Sequence, residues 1–406
     1  MVTEILAAYC ALASGVMPAV INDNHVRTLT IRNADDFMLP PVIRLSTSDR
    51  LRMNFDIIGE DREYLRYRLV HCNSDWTPSH LLEHEYLEGF NEGEIDDYAF
   101  SSNTFTHFVN YNLELPAQSL GITKSGNYLI QVYREEEPED ILFQTGFYVT
   151  ENSVEVSGEV TTRTDRGFNT DSQQLEITID AAGQEITNLW QDYIVKVIQN
   201  NVPRSVSTAL QPLRVVGSKA FYSHNPNLIF PAGNEYRRFE TVRADYSGMG
   251  IDSVGFSDGI RRAWITPDAP RAGKSYIYDR TQHGRFKIDE YNSTDPDLGA
   301  DYVLTRFLLQ IPERVGKGVY VDGEFTLHSP DGAHKMIYDS GQGGYVLEIP
   351  LKQGSYNYRY VFGNEDEAKA SEIEGDYYET ENDYAVFVYL REPGSRGDRL
   401  ISVTVY

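Results

Sequence analysis

From Val26 onward the chain is written in short runs of β-branched and aromatic residues with a period of two, such as "VRTLTIR" and "LRMNFDIIG", each closed by a cluster of glycine, asparagine, aspartate or proline. Successive side chains on a strand point to opposite faces, so this alternation suits sheets with one buried and one wet face. The closing clusters supply the turns between strands. Long helical periodicity is nearly absent. The exception is short, with Thr77 as N-cap, Pro78 at the first helical position, Leu81, Leu82, Tyr86 and Leu87 on one side, and Gly89 as terminator. Composition leans the same way, with 28 tyrosines and 18 phenylalanines against 6 methionines, since aromatic rings pack well on a pleated surface. The expected class is all-β: tandem immunoglobulin-like or early-set β-sandwiches with little helix.

Domain organisation follows from length and from a repeated local pattern. At 406 residues the chain divides into two to four units by the size rule of roughly 100 to 200 residues per domain. "SGNYLIQVY" (Ser125 to Tyr133) and "QGSYNYRYVF" (Gln353 to Phe362) each place a glycine two residues before a tyrosine and continue as a period-2 strand. A turn followed by tyrosine at the start of a late strand is the pattern of a tyrosine corner, in which the phenol bonds back to the chain between two sheets. One sandwich is therefore expected near each end. The expected boundaries are a signal segment at 1–21, an immunoglobulin-like sandwich at 22–151, a middle β domain at 152–291, and an early-set-like sandwich at 302–406. "NSTDPDLGAD" between the last two reads as a solvated acidic connector.

The first twenty residues hold an apolar run from Ile5 to Ala13 followed by small residues, as a signal-peptide core and cleavage region would. Bulky Tyr9 before Cys10 argues against a lipidated N-terminus. With Cys10 removed, Cys72 stands alone and no disulfide framework is available. No later stretch stays apolar for the roughly 18 residues a membrane helix needs. Asp and Glu total 61 against 36 Lys and Arg, a formal charge of -25, so nucleic acid and anionic membranes are poor partners.

The run "HCNSDWTP" (His71 to Pro78) contains a thiol, an imidazole and a carboxylate. His71 and Cys72 are adjacent, so on a strand they face opposite ways and cannot form a nucleophile–base pair. Zinc needs paired ligand motifs, and His84-Glu85 is not followed by the second histidine of a metalloprotease helix. "DPDLGAD" lacks the glutamate an EF-hand loop needs after its glycine. No phosphate-binding loop, nucleophile elbow or dinucleotide fingerprint is present, and Arg396-Gly397-Asp398 is a turn by composition. No catalytic, cofactor-binding or metal residue is assigned. His71 to Pro78 instead reads as a packed corner: Cys72 and Trp76 anchor it, and Asn73, Ser74 and Asp75 make the turn.

That corner opens a longer block, "HCNSDWTPSHLLEHEYLEGFNEGEIDDYAFSSNTF", followed by "ITKSGNYLIQVY", "FPAGNEYRRFE", "GRFKI", "ADYVLTRFLL" and "IEGDYYETENDYAVFVYLREPGSRGDRLI". In that order these blocks resemble the type IX secretion system plug protein family of Bacteroidetes over nearly the whole chain. The resemblance implies a periplasmic protein without catalytic function, lying at the inner face of the outer membrane. It would dock on the SprA translocon, a very large outer-membrane β-barrel, and close it when no cargo occupies it. Two segments rich in acids and aromatics, Trp76 to Asp97 and Glu372 to Glu381, are the expected contact regions. Asn73, Asp75, Trp76, Tyr86, Asn91, Tyr377, Tyr378, Glu381 and Asn382 are the candidate interaction or family-motif residues. "VYVDGEFTLHSPDG" is also similar to the first strands of glycogen-binding modules, which makes a periplasmic glycan-binding protein the alternative. Where those modules carry a stacking tryptophan this chain has Thr326, Leu327 and His328, and sugar stacking relies on such a ring.

Overall fold

The computed structural model describes residues 17, 19–117, 120–182, 188–208, 210–243, 245–363 and 368–406; nearly all of the expected signal segment lies outside them. About 49% of the chain is strand and 6% helix. Among the described residues the α-helices are single turns, Glu83–Tyr86, Pro296–Gly299 and Ser371–Glu374.

The first sandwich packs a six-stranded sheet on a four-stranded one. The larger sheet runs in the order Val20–Ile21, Glu137–Thr150, Gly126–Arg134, Leu65–Cys72, Gly93–Ile95, with Val42–Arg44 added parallel to Glu137–Thr150; the smaller runs Val26–Asn33, Leu51–Ile58, Phe108–Leu115, Asp97–Phe100. Alternation sets the faces: Leu65, Tyr67 and Leu69 point inward to meet Met53, Phe55 and Ile57, while Arg66 and Arg68 lie between them on the other face. The Tyr128 hydroxyl donates to the Lys124 carbonyl at 2.8 Å, and that of Tyr356 donates to the Lys352 carbonyl. Both tyrosine corners read from the sequence are therefore formed.

The expected boundaries need correction beyond the first unit. Tyr193–Gln199 pairs with Tyr384–Leu390, which pairs with Arg399–Val405. This three-stranded sheet faces the sheet containing Glu155–Thr161, Ser172–Asp180, Lys219–Tyr222 and Arg214–Val216. Val195, Val197, Val386, Val388 and Ile401 share one core with Leu175, Ile177 and Ile179. The second sandwich thus takes its last two strands from the C-terminus, not from the 152–291 segment alone.

The third sandwich is inserted between the Ile229–Pro231 strand and Tyr384. One sheet holds Arg237–Glu240, Gly354–Gly363, Phe286–Ile288 and Gly318–Asp322; the other holds Ile251–Ser257, Ile260–Ile265, Tyr302–Leu309, Gly344–Lys352 and Ile337–Asp339. Its core gathers Phe239, Phe286 and Phe307 with Tyr356, Tyr358 and Tyr360. Residues on both sides of the expected boundary at 291 to 302 belong to this one core.

Two local readings also change. The helix expected from Thr77 to Gly89 is a single turn: Pro78 bridges Cys72, and Leu87–Gly89 pairs as a strand with Leu120–Ile122. Backbone bonds from Ser79 N to the His71 carbonyl and from His80 N to the Arg396 carbonyl, both 2.9 Å, hold the chain extended where the helix was expected to begin. The acidic connector is not simply solvated. Asp301 is buried, and its carboxylate accepts from the backbone N–H groups of Phe105 and Thr106 at 3.0 Å each, which fastens the third sandwich to the first.

Candidate interaction surfaces and the junctions between sandwiches

The corner at His71 to Pro78 lies on the junction between the first and second sandwiches. Cys72, Trp76, Leu129 and Tyr148 from the first form one apolar cluster with Ile198, Phe387, Tyr389 and Leu400 from the second. Around this dry patch the polar groups pair across the junction. Asp398, in the Arg396-Gly397-Asp398 turn, accepts from Ser74 N at 2.9 Å and from Arg391 through both carboxylate oxygens at 2.6 and 2.7 Å. The Tyr389 hydroxyl donates to Asn127 Oδ1 at 2.8 Å, and the Lys196 ammonium donates to the Ser74 carbonyl. The aspartate of the triplet is only 2% exposed, so its role is to hold two domains together.

None of this favours chemistry at the corner. Burial pushes the Cys72 thiol up to about 12, and a thiol needs its thiolate to react. The Ser125 carbonyl 3.0 Å from His71 can only accept, which places the imidazole proton on Nε2 and leaves Nδ1 to accept from the Ser79 hydroxyl at 2.9 Å. Burial holds the His71 pKa below its usual value, with the bond to Ser125 and the charge of Asp398 working the other way. As pH falls below about 6.5 the unfolded chain therefore takes up this proton before the folded one. Stability is therefore expected to decline as pH falls below about 6.5, by at most ~1.4 kcal/mol per pH unit from this one group. Urea unfolding midpoints should show a shallower decline in His71→Gln than in the parent.

The junction between the first and third sandwiches is ionic. Asp56 and Lys352, 0% and 1% exposed, meet at 2.7 Å. Tyr302 Oη at 2.7 Å and Asn110 Nδ2 at 2.8 Å also donate to the Asp56 carboxylate. The Lys352 ammonium donates in addition to the Asp297 carbonyl at 2.6 Å and sits 4.0 Å from the Phe108 ring centroid. Arg52–Asp297 and Arg32–Glu324 pairs flank this centre.

Between the second and third sandwiches the chain crosses twice, outward through 231–236 and back through 376–384, and the two crossings are laced together. Asn382 Nδ2 donates to the Ala232 carbonyl at 2.8 Å and to Gln173 Oε1 at 3.0 Å, and Tyr377 N donates to the Gly233 carbonyl at 2.8 Å.

The candidate residues mostly serve these junctions or their own sandwich. Asn73 Oδ1 accepts from Asp398 N, and Asp75 Oδ1 accepts from both the backbone and hydroxyl of Thr77. Trp76 and Tyr86 are buried. The Asn91 amide accepts from Leu69 N and donates to Leu69 O, both at 2.8 Å, imitating a neighbouring strand. The Tyr377 hydroxyl donates to the Arg271 and Lys274 carbonyls, the Tyr378 carbonyl accepts from Gln173, and only Glu381 is exposed. Missed by sequence reasoning were Asp56 and Lys352, each an ordinary charge flanked by β-rich residues.

Among the described residues no cluster of His, Cys, Asp and Glu could hold a metal ion, and no helix is long and apolar enough to cross a membrane. A surface cleft of about 550 Å³ in the third sandwich, edged by Arg314, Lys317, Lys335 and Tyr345, contains no carboxylate or imidazole. The tyrosine row of the third sandwich offers no platform for sugars, because Tyr356, Tyr358 and Tyr360 are at most 2% exposed.

Comparison with known proteins adds two findings. Residues 26–151 match the model of the first domain of type 9 secretion system plug proteins. A crystal structure of a hypothetical protein from Parabacteroides merdae is 37% identical, with a TM-score of 0.94 over 96% of this chain and 99% of that one. At that coverage the likeness extends to how the sandwiches sit against one another. No curated protein matches this chain.

Proposed function

Because the chain belongs to the type 9 secretion system plug protein family, we propose that it is a non-enzymatic periplasmic plug: it docks on the periplasmic mouth of a SprA-like outer-membrane barrel and closes that barrel when no cargo occupies it. The observation that carries this reading is the bracing of all three sandwiches. An apolar cluster, a buried ion pair and a doubly crossed, hydrogen-bonded connection join them pairwise. A stopper must resist local opening, and regions rich in buried contacts open least.

Within the expected contact segments the buried residues hold the domains, which leaves the exposed ones for a partner. Phe90 is 91% exposed and Leu82 56%, on the loop that precedes the Gly93–Ile95 strand and just before the Glu83–Tyr86 turn. Aromatic and leucine side chains standing in water at this level are what an interface core covers. The test is affinity purification of the exported protein from cells that lack the translocon's other partners. A large barrel should co-purify, and its absence would count decisively against the proposal. Phe90→Glu should lower barrel recovery by about tenfold, equivalent to ~1.4 kcal/mol, while leaving the melting temperature unchanged.

A further inference from the structure

The second sandwich is open along one side. One of its sheets ends on Glu155–Thr161, whose only strand partner among the described residues is Ser172–Asp180, and the other ends on Arg399–Val405. The chain before the first edge follows the second for two bonds, Glu151 N to Leu400 O at 3.0 Å and Ser153 N to Ile401 O at 2.8 Å. The two edges then part around a cleft of about 480 Å³ lined in part by Ser153, Glu155, Val156, Ser402 and Thr404.

An edge strand exposes a row of backbone donors and acceptors, and proteins usually blunt such edges with lysine, proline or a bulge. Glu155–Thr161, "EVSGEVT", has neither lysine nor proline and pairs with its neighbour without a register shift. What it does carry is charge of one sign. Glu155 stands opposite Asp180 and Glu159 opposite Glu176, and like charges directly across a ladder are destabilising. Lys219 pairs with Asp180, at 3.3 Å. Inside the cleft Ser402 is 1% exposed, and its hydroxyl oxygen has no hydrogen-bond partner among the described residues. A buried polar group left unpaired costs about 1–3 kcal/mol, which an incoming donor or acceptor would recover.

We propose that this edge accepts an extended, cationic segment of a partner protein as an added strand beside Glu155–Thr161. On such a strand, basic residues four positions apart lie ~13 Å apart on one face, which matches Glu155 and Glu159. One cation then sits beside the Glu155–Asp180 pair and the next beside Glu159–Glu176, relieving both repulsions. A second copy of this chain is the wrong occupant, since it carries a formal charge of -25 and the same acids along the same edge. The inference rests on the second sandwich itself and stands apart from the plug reading.

The test uses the full chain and a labelled seven-residue peptide that alternates lysine or threonine with valine, its two lysines four positions apart. Fluorescence anisotropy should show saturable binding, and hydrogen exchange should show new protection confined to the Glu155–Thr161 amides and the Arg399–Val405 edge. Glu155→Lys/Glu159→Lys, which changes only solvent-facing side chains, should weaken that peptide by about tenfold and gain binding to a peptide with glutamate in place of lysine. Absence of binding by the lysine peptide, protection elsewhere in the molecule, or equal affinity for the charge-reversed variant would each overturn the proposal.

Discussion

Replacing Lys352 by methionine is expected to destabilise the folded chain by about 3–5 kcal/mol, because it strands the Asp56 carboxylate in a site from which water is excluded. Asp56 is 0% exposed, so no solvent can take over the role of the ammonium. Tyr302 and Asn110 would still donate to it, but neither supplies a charge. The variant Asp56→Asn/Lys352→Met should recover a large part of the loss, since the carboxamide oxygen can accept from Asn110 while its N–H donates to the Tyr302 hydroxyl oxygen, with no charge to compensate. Recovery separates the cost of an unpaired charge from a general loss of packing. The second consequence concerns cooperativity: Asp56 belongs to the first sandwich and Lys352 to the third, so Lys352→Met alone should split one denaturant transition into two. A single transition with an unshifted midpoint would show that this pair does not hold the two sandwiches together.

Lys352 serves two structures at once, of which the substitution removes only the one made by its side chain. Its side chain closes the ion pair, and its carbonyl accepts from Tyr356 in the tyrosine corner. The corner was readable in advance, since a glycine two residues before a tyrosine at a strand start is a local pattern. The ion pair was not, because its halves are separated by 296 residues and nothing near either one marks it. The same difference in range explains the domain boundaries. Strand character in Tyr384–Leu390, "YAVFVYL", is plain from its residues, yet its partner Tyr193–Gln199 lies beyond an entire inserted sandwich. Contiguous segmentation cannot anticipate a strand that returns to an earlier sheet. His71 to Pro78 was legible as a packed corner for the opposite reason: its turn is made of neighbours. What it packs against, the Arg391 to Ile401 stretch, is set only by tertiary structure.

That corner also yields the second large effect. Trp76 has a φ of +67°, a left-handed conformation that costs a bulky residue about 1–3 kcal/mol unless its surroundings hold it there. The indole is held in the cluster between the first and second sandwiches, with its ring centroid 5.2 Å from that of Tyr148. Its ring also packs against Gly146 on the Glu137–Thr150 strand, where an added Cβ would stand 2.6 Å from the ring carbon Cη2 and 2.7 Å from both Cζ3 and Met17 Cγ. Trp76→Ala should therefore cost about 3–5 kcal/mol, as expected for emptying a buried aromatic site. Gly146→Ala should cost about 1–3 kcal/mol, because the new methyl meets a ring that the junction prevents from retreating. The two costs should not add. Once the indole is gone the methyl at 146 meets only the flexible Met17 side chain, whose Cγ stands 2.7 Å away and can move into the vacated space, so the double variant should be more stable than the sum of the single losses by at least ~1 kcal/mol. Strict additivity in a urea-unfolding cycle would mean that Gly146 is not there to make room for the ring. A positive coupling would identify the indole against the bare backbone at 146 as the contact that seats the corner and, with it, the second sandwich on the first.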